Sequence, residues 1–194
     1  LVVEIAPLDT RLIRIAPRLI SQLGWKIRAR RIVSSGYSGG MKLSVLNQIW
    51  KAKTVDETHA LFEEWANDYE SDMADVGYVT PDRIARISAT LVNDLTAPVL
   101  DYGCGTGLSC QSMLKMGFTT LDGTDISQKM LNFANSKSIY RRVIHTEPAS
   151  MGAINGREYG LIIAAGVISR GAAGPETLDF LIENGLAHRI ESLN

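Results

Sequence analysis

The sequence predicts an α/β protein, in which a doubly wound, mostly parallel sheet follows an N-terminal helical cap. Short apolar runs typical of buried strands begin after Pro98, and stretches of helical periodicity separate them. The runs cover residues 99–100, 119–124, 142–145 and 160–165, and the helical stretches lie near residues 107–116, 127–138 and 175–186. This alternation is typical of a parallel sheet covered on both faces. Ligands of such sheets bind beyond the carboxyl ends of the strands, so the residues that end each run are candidates for a site.

Composition limits the classes of function that fit this chain. It has 194 residues, 45% of them hydrophobic, and a formal net charge of -1, which gives no overall field for holding nucleic acid. No apolar run approaches the ~20 residues that span a bilayer. Cys104 and Cys110 are too few for a disulfide framework. We therefore expect a cytoplasmic protein with a small-molecule substrate, no nucleic acid partner, no membrane association and no metal site.

Residues 1–40 form a basic N-terminal extension. Seven basic side chains against Glu4 and Asp9 give it a charge of +5, which leaves -6 for residues 41–194. Apolar residues at spacings of three and four predict a short amphipathic helix there: Leu8, Leu12, Ile15, Leu19 and Leu23. A targeting or surface-binding arm is one interpretation. An appended or wrongly started segment, disordered or not native, is the interpretation that we favour.

Residues 41–97 are predicted to form the helical cap. Residues 55–73 have the clearest helical pattern, and Thr54 with Glu57 makes a capping box at its start. Thr80 and Pro81 mark a second helix start. One apolar stripe contains Leu61, Phe62, Trp65, Ala66 and Tyr69, and the inner face of the second helix is predicted to contain Ile84, Ile87 and Leu91.

The strongest signal for a ligand is the glycine loop after the first apolar run, Val99-Leu100-Asp101-Tyr102-Gly103-Cys104-Gly105-Thr106-Gly107. Glycines allow a ligand to approach the backbone closely, and the N–H groups at the start of the next helix suit a carboxylate or phosphate. A dinucleotide-binding loop would have its third glycine at the position of Leu108. A nicotinamide-dependent oxidoreductase is therefore the weaker alternative.

Asp125 ends the next apolar run, 20 residues after Gly105. Doubly wound folds place a carboxylate there, which accepts hydrogen bonds from ribose hydroxyls. Ser127 is predicted to cap the helix that follows, and Ile126 and Met130 to form an apolar wall for adenine. The alternative is that Asp125 only caps that helix.

These motifs, in this order over residues 55–187, resemble class I S-adenosylmethionine-dependent methyltransferases, including the methyltransferase-like proteins of the Williams–Beuren-region type. The aromatic segment 61–69, the segment 77–81, the glycine loop and the segment 162–167 carry the resemblance. It makes residues 98–194 an incomplete Rossmann-like domain for S-adenosylmethionine. It implies that Asp101, Gly103, Cys104, Gly105 and Gly107 hold the methionine end, Asp125 the ribose, and Ala165 and Gly166 the reaction centre.

The resemblance implies further contacts less directly. Tyr69 is a candidate to close over the cofactor, with its ring face towards the sulfonium cation. For Tyr69 and Trp65, ordinary packing of an amphipathic helix is an equal alternative. In the family, an acidic residue after the third strand commonly contacts the adenine. The corresponding segment here is 145–149, in which Glu147 is the candidate. No catalytic base is assigned.

The chain departs from the family at its end. Class I sheets have seven strands, and residues 189–193 are expected at most to begin the fifth. We therefore expect either a fragment or a sheet whose open edge is covered by self-association. The leading prediction is a methyltransferase acting on an unidentified small molecule, although this truncated chain could itself be inactive. The alternative is a non-catalytic fragment that binds S-adenosylmethionine or S-adenosylhomocysteine and acts through association.

Overall fold

The computed structural model describes residues 2–4, 45, 48–49, 51–148, 150, 154, 158–168, 172–174 and 176–191, and for residues 2–4 and 184–191 it describes the backbone alone. The amphipathic helix predicted between residues 8 and 23 lies outside the described residues. So do the glycines and serines that precede Met41.

The described strands form one parallel sheet of five, in the order β1-β5-β2-β3-β4. The strands are β1 (Val2–Glu4), β2 (Val99–Tyr102), β3 (Leu121–Asp125), β4 (Arg142–His145) and β5 (Leu161–Ala165). All four pairings are parallel, so the predicted fold class is confirmed. The carboxyl ends of β3, β2 and β5 therefore lie side by side at one edge of the sheet. The lateral edge of β5, which was expected to be open, carries β1.

Six helices are described: α1 (Val55–Trp65), α2 (Tyr69–Asp75), α3 (Thr80–Leu91), α4 (Leu108–Lys115), α5 (Gln128–Ser136) and α6 (Glu176–Glu191). The helix starts follow the sequence signals, because the Thr54 side chain accepts from Glu57 N–H and Pro81 lies in the first turn of α3. No helix within the described ranges is both long and apolar enough to cross a membrane.

One prediction about helix extent was wrong. Residues 55–73 are not one helix, because a turn at residues 66–68 separates α1 from α2. Asn67 and Asp68 favour turns, since their short polar side chains compete for backbone hydrogen bonds. Residues 189–191, where the sequence allowed at most the beginning of a further strand, are the end of α6. No proline stops the helix there, and His188 and Arg189 follow without a helix-ending glycine.

The core lies on both faces of the sheet, as the alternation of side chains along each strand requires. One face packs on α3 and α4, and its cluster includes Ile84, Cys110, Met113, Phe118, Val99, Leu121 and Ile163. The other face packs on α6 and the chain before β5, and its cluster includes Leu100, Tyr102, Tyr159, Ile162, Ala164 and Leu181.

The prediction of which residues form the inner face of α3 was only partly right. Ile84 is buried, but Ile87 is 50% exposed and Leu91 is 63% exposed. The buried face instead contains Pro81, Ile84, Ala85 and Ser88. Two of these residues, Ala85 and Ser88, are small, so packing rather than hydrophobicity alone determines the face.

Asp122 anchors the amino end of the sheet, away from the carboxyl ends. It is fully buried and accepts hydrogen bonds of 2.6–2.9 Å from Arg141, Arg142 and Tyr159. Burial alone would raise the pKa of Asp122, but these hydrogen bonds outweigh it and hold the pKa well below its usual range. The carboxylate thus joins β3 to the start of β4 and to the chain before β5.

Candidate functional site

The glycine loop connects β2 to α4 at the centre of the sheet. A side-chain carbon on Gly103 would overlap Val167 Cγ2, so this glycine permits close packing of the segment that follows β5. Gly105 also has a positive φ, +54°, but no atom of the other described residues lies within 4 Å of the position that its side-chain carbon would take. Gly107 is the N-cap of α4, with a φ of 96°. The loop therefore leaves open space above Gly105, where a ligand can approach the backbone.

Asp101 lies beneath the loop, fully buried in β2. Its Oδ2 accepts a hydrogen bond of 2.7 Å from the Tyr140 hydroxyl, whereas its Oδ1 has no hydrogen-bond partner among the described residues. Burial raises the pKa of Asp101 to about 7, and the nearby charge of Asp125 adds to this, while the Tyr140 hydrogen bond opposes it. An incompletely paired buried carboxyl of this kind is suited to a cationic ligand group, which would favour its ionised form.

Asp125 ends β3 and turns towards the same loop. Its Oδ2 accepts from Gly105 N–H and its Oδ1 from Ser127 N–H, both at 2.8 Å. Burial raises the pKa of Asp125, and the backbone donors Ser127, Gly105 and Ile126 act against that rise. Since a carboxylate offers about four lone-pair sites, both oxygens retain the capacity to accept from hydroxyls.

Ser127, not Asp125, caps α5. The Ser127 hydroxyl accepts from Met130 N–H at 3.2 Å, as the sequence predicts. The alternative in which Asp125 serves only as the helix cap therefore loses its main support. Ile126 is half-buried beside Asp125 and Met130 is buried, which is compatible with the predicted apolar wall.

The end of β4 adjoins Asp125 through its backbone. Thr146 N–H donates to Asp125 O at 3.0 Å. His145 Nε2 lies 2.9 Å from Ile126 O, and Glu147 is exposed. Glu147 therefore lies at the rim of this edge, and its contact with adenine stays a prediction.

Polar atoms without partners cluster around the loop. Within the described part of the chain, the buried hydroxyls of Thr106 and Thr124 have no hydrogen-bond partner, and neither has Asp101 Oδ1. Cys104 contributes its backbone, since its N–H donates to Thr124 O at 2.8 Å and burial raises the pKa of its thiol well above the usual value. No group of three His, Cys, Asp or Glu side chains converges within the part of the chain that the structure describes. Open space at Gly105 with unpaired polar atoms beside it fits a polar organic ligand.

The cap brings Tyr69 and Trp65 to this edge in different ways. Trp65 is 4% exposed, its indole N–H donates to Asp72 at 2.8 Å, and its ring meets Tyr69 edge-on with centroids 4.9 Å apart. These contacts account for Trp65 as a core residue of the cap, so packing is the role that they support. The pKa of Tyr69 is raised, first by burial and then by the neighbouring Tyr78 and Asp125. Tyr69 is therefore an electrostatic neighbour of Asp125, the predicted ribose carboxylate.

Two polar bridges that the sequence did not predict hold the cap onto the sheet domain. Glu63 of α1 accepts from the Ser127 hydroxyl at 2.6 Å and from Lys129 N–H at 3.1 Å. Lys137, which follows α5, is paired with Glu70 of α2 and donates to Thr106 O at 2.8 Å. The first bridge adjoins Asp125 and the second adjoins the glycine loop. More than 60 residues separate each glutamate from its partners, and no local pattern signals such pairs.

Ala165 and Gly166 lie at the carboxyl end of β5, two strands from Asp125. β5 pairs with β2, and β2 pairs with β3, so the glycine loop lies between the two positions. The structure therefore brings together Asp101, the glycine loop, Asp125, Tyr69 and Gly166 at one edge of the sheet.

Part of the chain is similar in sequence to known methyltransferases. Residues 99–173 match the family model of a methyltransferase domain. Over 87 residues, 42% of this chain and 34% of the relative, the sequence is 36% identical to human methyltransferase-like protein 27. The chain thus spans about a third of the length of that curated relative.

Two solved structures are similar to parts of this chain. A TehB-like S-adenosylmethionine-dependent methyltransferase of Corynebacterium glutamicum is 20% identical, with a TM-score of 0.44 over 67% of this chain and 65% of that one. A methyltransferase of Geobacter sulfurreducens, solved with S-adenosylhomocysteine, is also 20% identical, with a TM-score of 0.39 over 55% and 43% of the two chains. The sequence match to methyltransferase domains, residues 99–173, contains the glycine loop, both carboxylates and Gly166.

Proposed function

We propose that the chain binds S-adenosylmethionine at the carboxyl edge of its sheet and belongs to an enzyme that transfers the methyl group to a small-molecule acceptor. One observation carries the proposal: a buried carboxyl, Asp101, and a half-buried one, Asp125, flank a glycine loop with open space above Gly105. The match of this segment to methyltransferase domains supports it.

Each residue has a role in this proposal. Asp125 accepts from the ribose hydroxyls, and the unpaired Oδ1 of Asp101 faces the cationic methionine end. Ile126 and Met130 border the adenine, Glu147 accepts from its amino group, and Tyr69 closes over the cofactor.

The cofactor supplies a methyl group on a sulfonium, whose leaving group needs no protonation. The task of the chain is therefore to hold the acceptor in line with the methyl group, and oriented reactants reach effective molarities on the order of 10⁵ M or more. A dedicated base is then optional. His145 lies beside Ile126 O, and the side chain of His188, another histidine near the predicted end of the sheet, is outside the described residues.

A finer assignment is part of the proposal. The 36% identity to methyltransferase-like protein 27 and the segments 61–69 and 77–81 support a methyltransferase-like protein of the Williams–Beuren-region type. We place it in the cytoplasm, because Cys104 and Cys110 are both buried free thiols and suit a reducing compartment.

Titration calorimetry with S-adenosylhomocysteine and with NAD tests the proposal. The expected result is saturable binding of S-adenosylhomocysteine and at least a hundredfold weaker binding of NAD. A loop that binds NAD has a third glycine, and Leu108 occupies that position here. Tight NAD binding would instead favour an oxidoreductase, and the absence of binding to S-adenosylhomocysteine would refute the proposed function.

A further inference from the structure

Tyr78 is a second tyrosine of the cap at this edge, and the sequence did not single it out as a site residue. It lies in the short turn between α2 and α3, where Gly77 has a φ of +65° and Tyr78 N–H donates to Met73 O at 3.0 Å. Its side chain is half-buried against the apolar cluster of the cap that contains Trp65 and Met73. The turn and the cluster together fix where the ring points.

The Tyr78 hydroxyl is directed at Gly166. A side-chain carbon on Gly166 would lie 2.9 Å from the Tyr78 oxygen, and the φ of Gly166 is +72°. Both the conformation and the close approach therefore require glycine at this position. The phenol thus occupies the space beside the carboxyl end of β5 that any other residue would fill.

Tyr69 and Tyr78 span the edge from Asp125 to Gly166. The pKa of Tyr69 is raised by burial, then by Tyr78 and by Asp125, so its phenol has both as electrostatic neighbours. Asp125 and Gly166 end strands that are separated by β2, and two interstrand spacings amount to about 10 Å. A ligand whose ribose is held by Asp125 therefore extends along the glycine loop towards Gly166, with Tyr69 near its ribose and Tyr78 near its far end.

The far end of the proposed ligand differs between substrate and product. S-adenosylmethionine carries a positive charge and polarised methyl hydrogens at its sulfur, whereas S-adenosylhomocysteine has a neutral sulfur. A phenol oxygen offers lone pairs to polarised C–H groups and to a cation, and it has little to offer to a neutral thioether.

We propose that the Tyr78 hydroxyl contacts the sulfonium end of S-adenosylmethionine beside Gly166. This contact favours the methyl donor over S-adenosylhomocysteine. The inference rests on the proposed function and adds a specificity-determining residue to that site. Tyr78 acts at the carboxyl end of β5, and Asp125 acts at the carboxyl end of β3.

The test compares the dissociation constants of the two ligands on the same preparation of the full chain. Tyr78→Phe removes the hydroxyl and keeps the ring. We expect its affinity for S-adenosylmethionine to fall about fivefold, which corresponds to about 1 kcal/mol, and its affinity for S-adenosylhomocysteine to change less than twofold. The ratio of the two constants does not depend on the fraction of folded protein, so a loss of stability cannot imitate the result.

Tyr159→Phe is the matched control. The Tyr159 hydroxyl donates to Asp122 at 2.7 Å at the amino end of the sheet, away from the carboxyl ends. Removal of that hydroxyl should leave the ratio unchanged. An unchanged ratio in Tyr78→Phe, or an equal fall for both ligands, would overturn the role of Tyr78 while leaving the proposed function intact. A wild-type chain that binds neither ligand would overturn both.

Discussion

Asp101 and Asp125 lie one strand apart, yet their carboxylates are paired differently. Both oxygens of Asp125 accept from backbone N–H groups, whereas Asp101 has one partner, Tyr140, and one buried oxygen without any. The positions of Asp101 near the end of β2 and of Asp125 at the end of β3 were predictable, because an acidic residue after an apolar run is a local pattern. The Tyr140 hydroxyl was not, since it reaches Asp101 from 39 residues away. The environment that determines each carboxyl's charge thus depends on tertiary packing.

The titration of Asp101 predicts a pH dependence of ligand binding. Burial raises the pKa of Asp101 to about 7 in the free protein, and a cationic ligand end favours the ionised form. The ionised fraction of such a group rises about tenfold between pH 6 and pH 8. We therefore expect the affinity for S-adenosylmethionine to increase by up to about tenfold over this range. Titrations at pH 6, 7 and 8 measure it.

Asp101→Asn is the control for that dependence, because the amide does not titrate. Its affinity should be low and nearly constant from pH 6 to pH 8. A wild-type affinity that does not change with pH, or an equal slope in Asp101→Asn, would show that Asp101 does not face the cation.

Among the elements, the helix starts were predictable and the helix faces less so. Thr54, Pro81 and Ser127 each mark a start that the structure confirms, because capping is an interaction within one turn. The turn at residues 66–68 and the exposure of Ile87 depend on which neighbour each helix packs against. The bridges made by Glu63 and Lys137 depend on the docking of the cap, which no local periodicity encodes.

The contacts of Glu63 predict that the docking of the cap affects ligand affinity at the site. It accepts from the Ser127 hydroxyl and from Lys129 N–H at the start of α5, next to Asp125. Glu63→Ala should lower the free energy of unfolding by about 1 kcal/mol, because the hydrogen bonds from Ser127 and Lys129 to its carboxylate are lost. We also expect it to weaken S-adenosylhomocysteine binding about threefold, because the turn that carries Asp125 loses its anchor.

Glu64→Ala is the matched control for that substitution, since it removes the same charge from the neighbouring, exposed position. Denaturant unfolding and calorimetry of both variants provide the comparison. Equal behaviour of the two variants would mean that the bridge from Glu63 does not support the site.

At the scale of the whole molecule, the order of the central strands follows from the doubly wound pattern, but the strand at the edge does not. The sequence alternation predicts β2 to β5 and their carboxyl-end site. Residues 2–4 gave no such signal, because three residues carry no periodicity, and yet β1 pairs with β5 through Val2, Val3 and Glu4. The free edge of β5, rather than a pattern within residues 2–4, determines this pairing.

Deletion of residues 1–40 tests the ligand site and the β5 edge of the sheet independently. All predicted site residues lie beyond Met41, so we expect the affinity for S-adenosylhomocysteine to stay within twofold of the full chain. The deletion also exposes the backbone of β5 along its edge, and exposed edges promote association between chains. Sedimentation velocity should therefore show more self-association in the shortened chain. A tenfold loss of affinity, or a shortened chain that associates no more than the full one, would contradict this prediction.

The most direct test of the proposed site is the affinity of Asp125→Ala for S-adenosylhomocysteine, measured by titration calorimetry with the folded fraction determined separately. Two hydrogen bonds to a charged group are worth roughly 1.5–3 kcal/mol each, and about 1.4 kcal/mol corresponds to a factor of ten. Ser127→Ala provides the comparison, since it removes the cap of α5 and leaves the carboxylate in place. We predict that Asp125→Ala loses at least tenfold in affinity while Ser127→Ala loses about 1 kcal/mol of stability and less than threefold in affinity. An Asp125→Ala protein that is less stable but binds S-adenosylhomocysteine as tightly as the wild type would contradict the account.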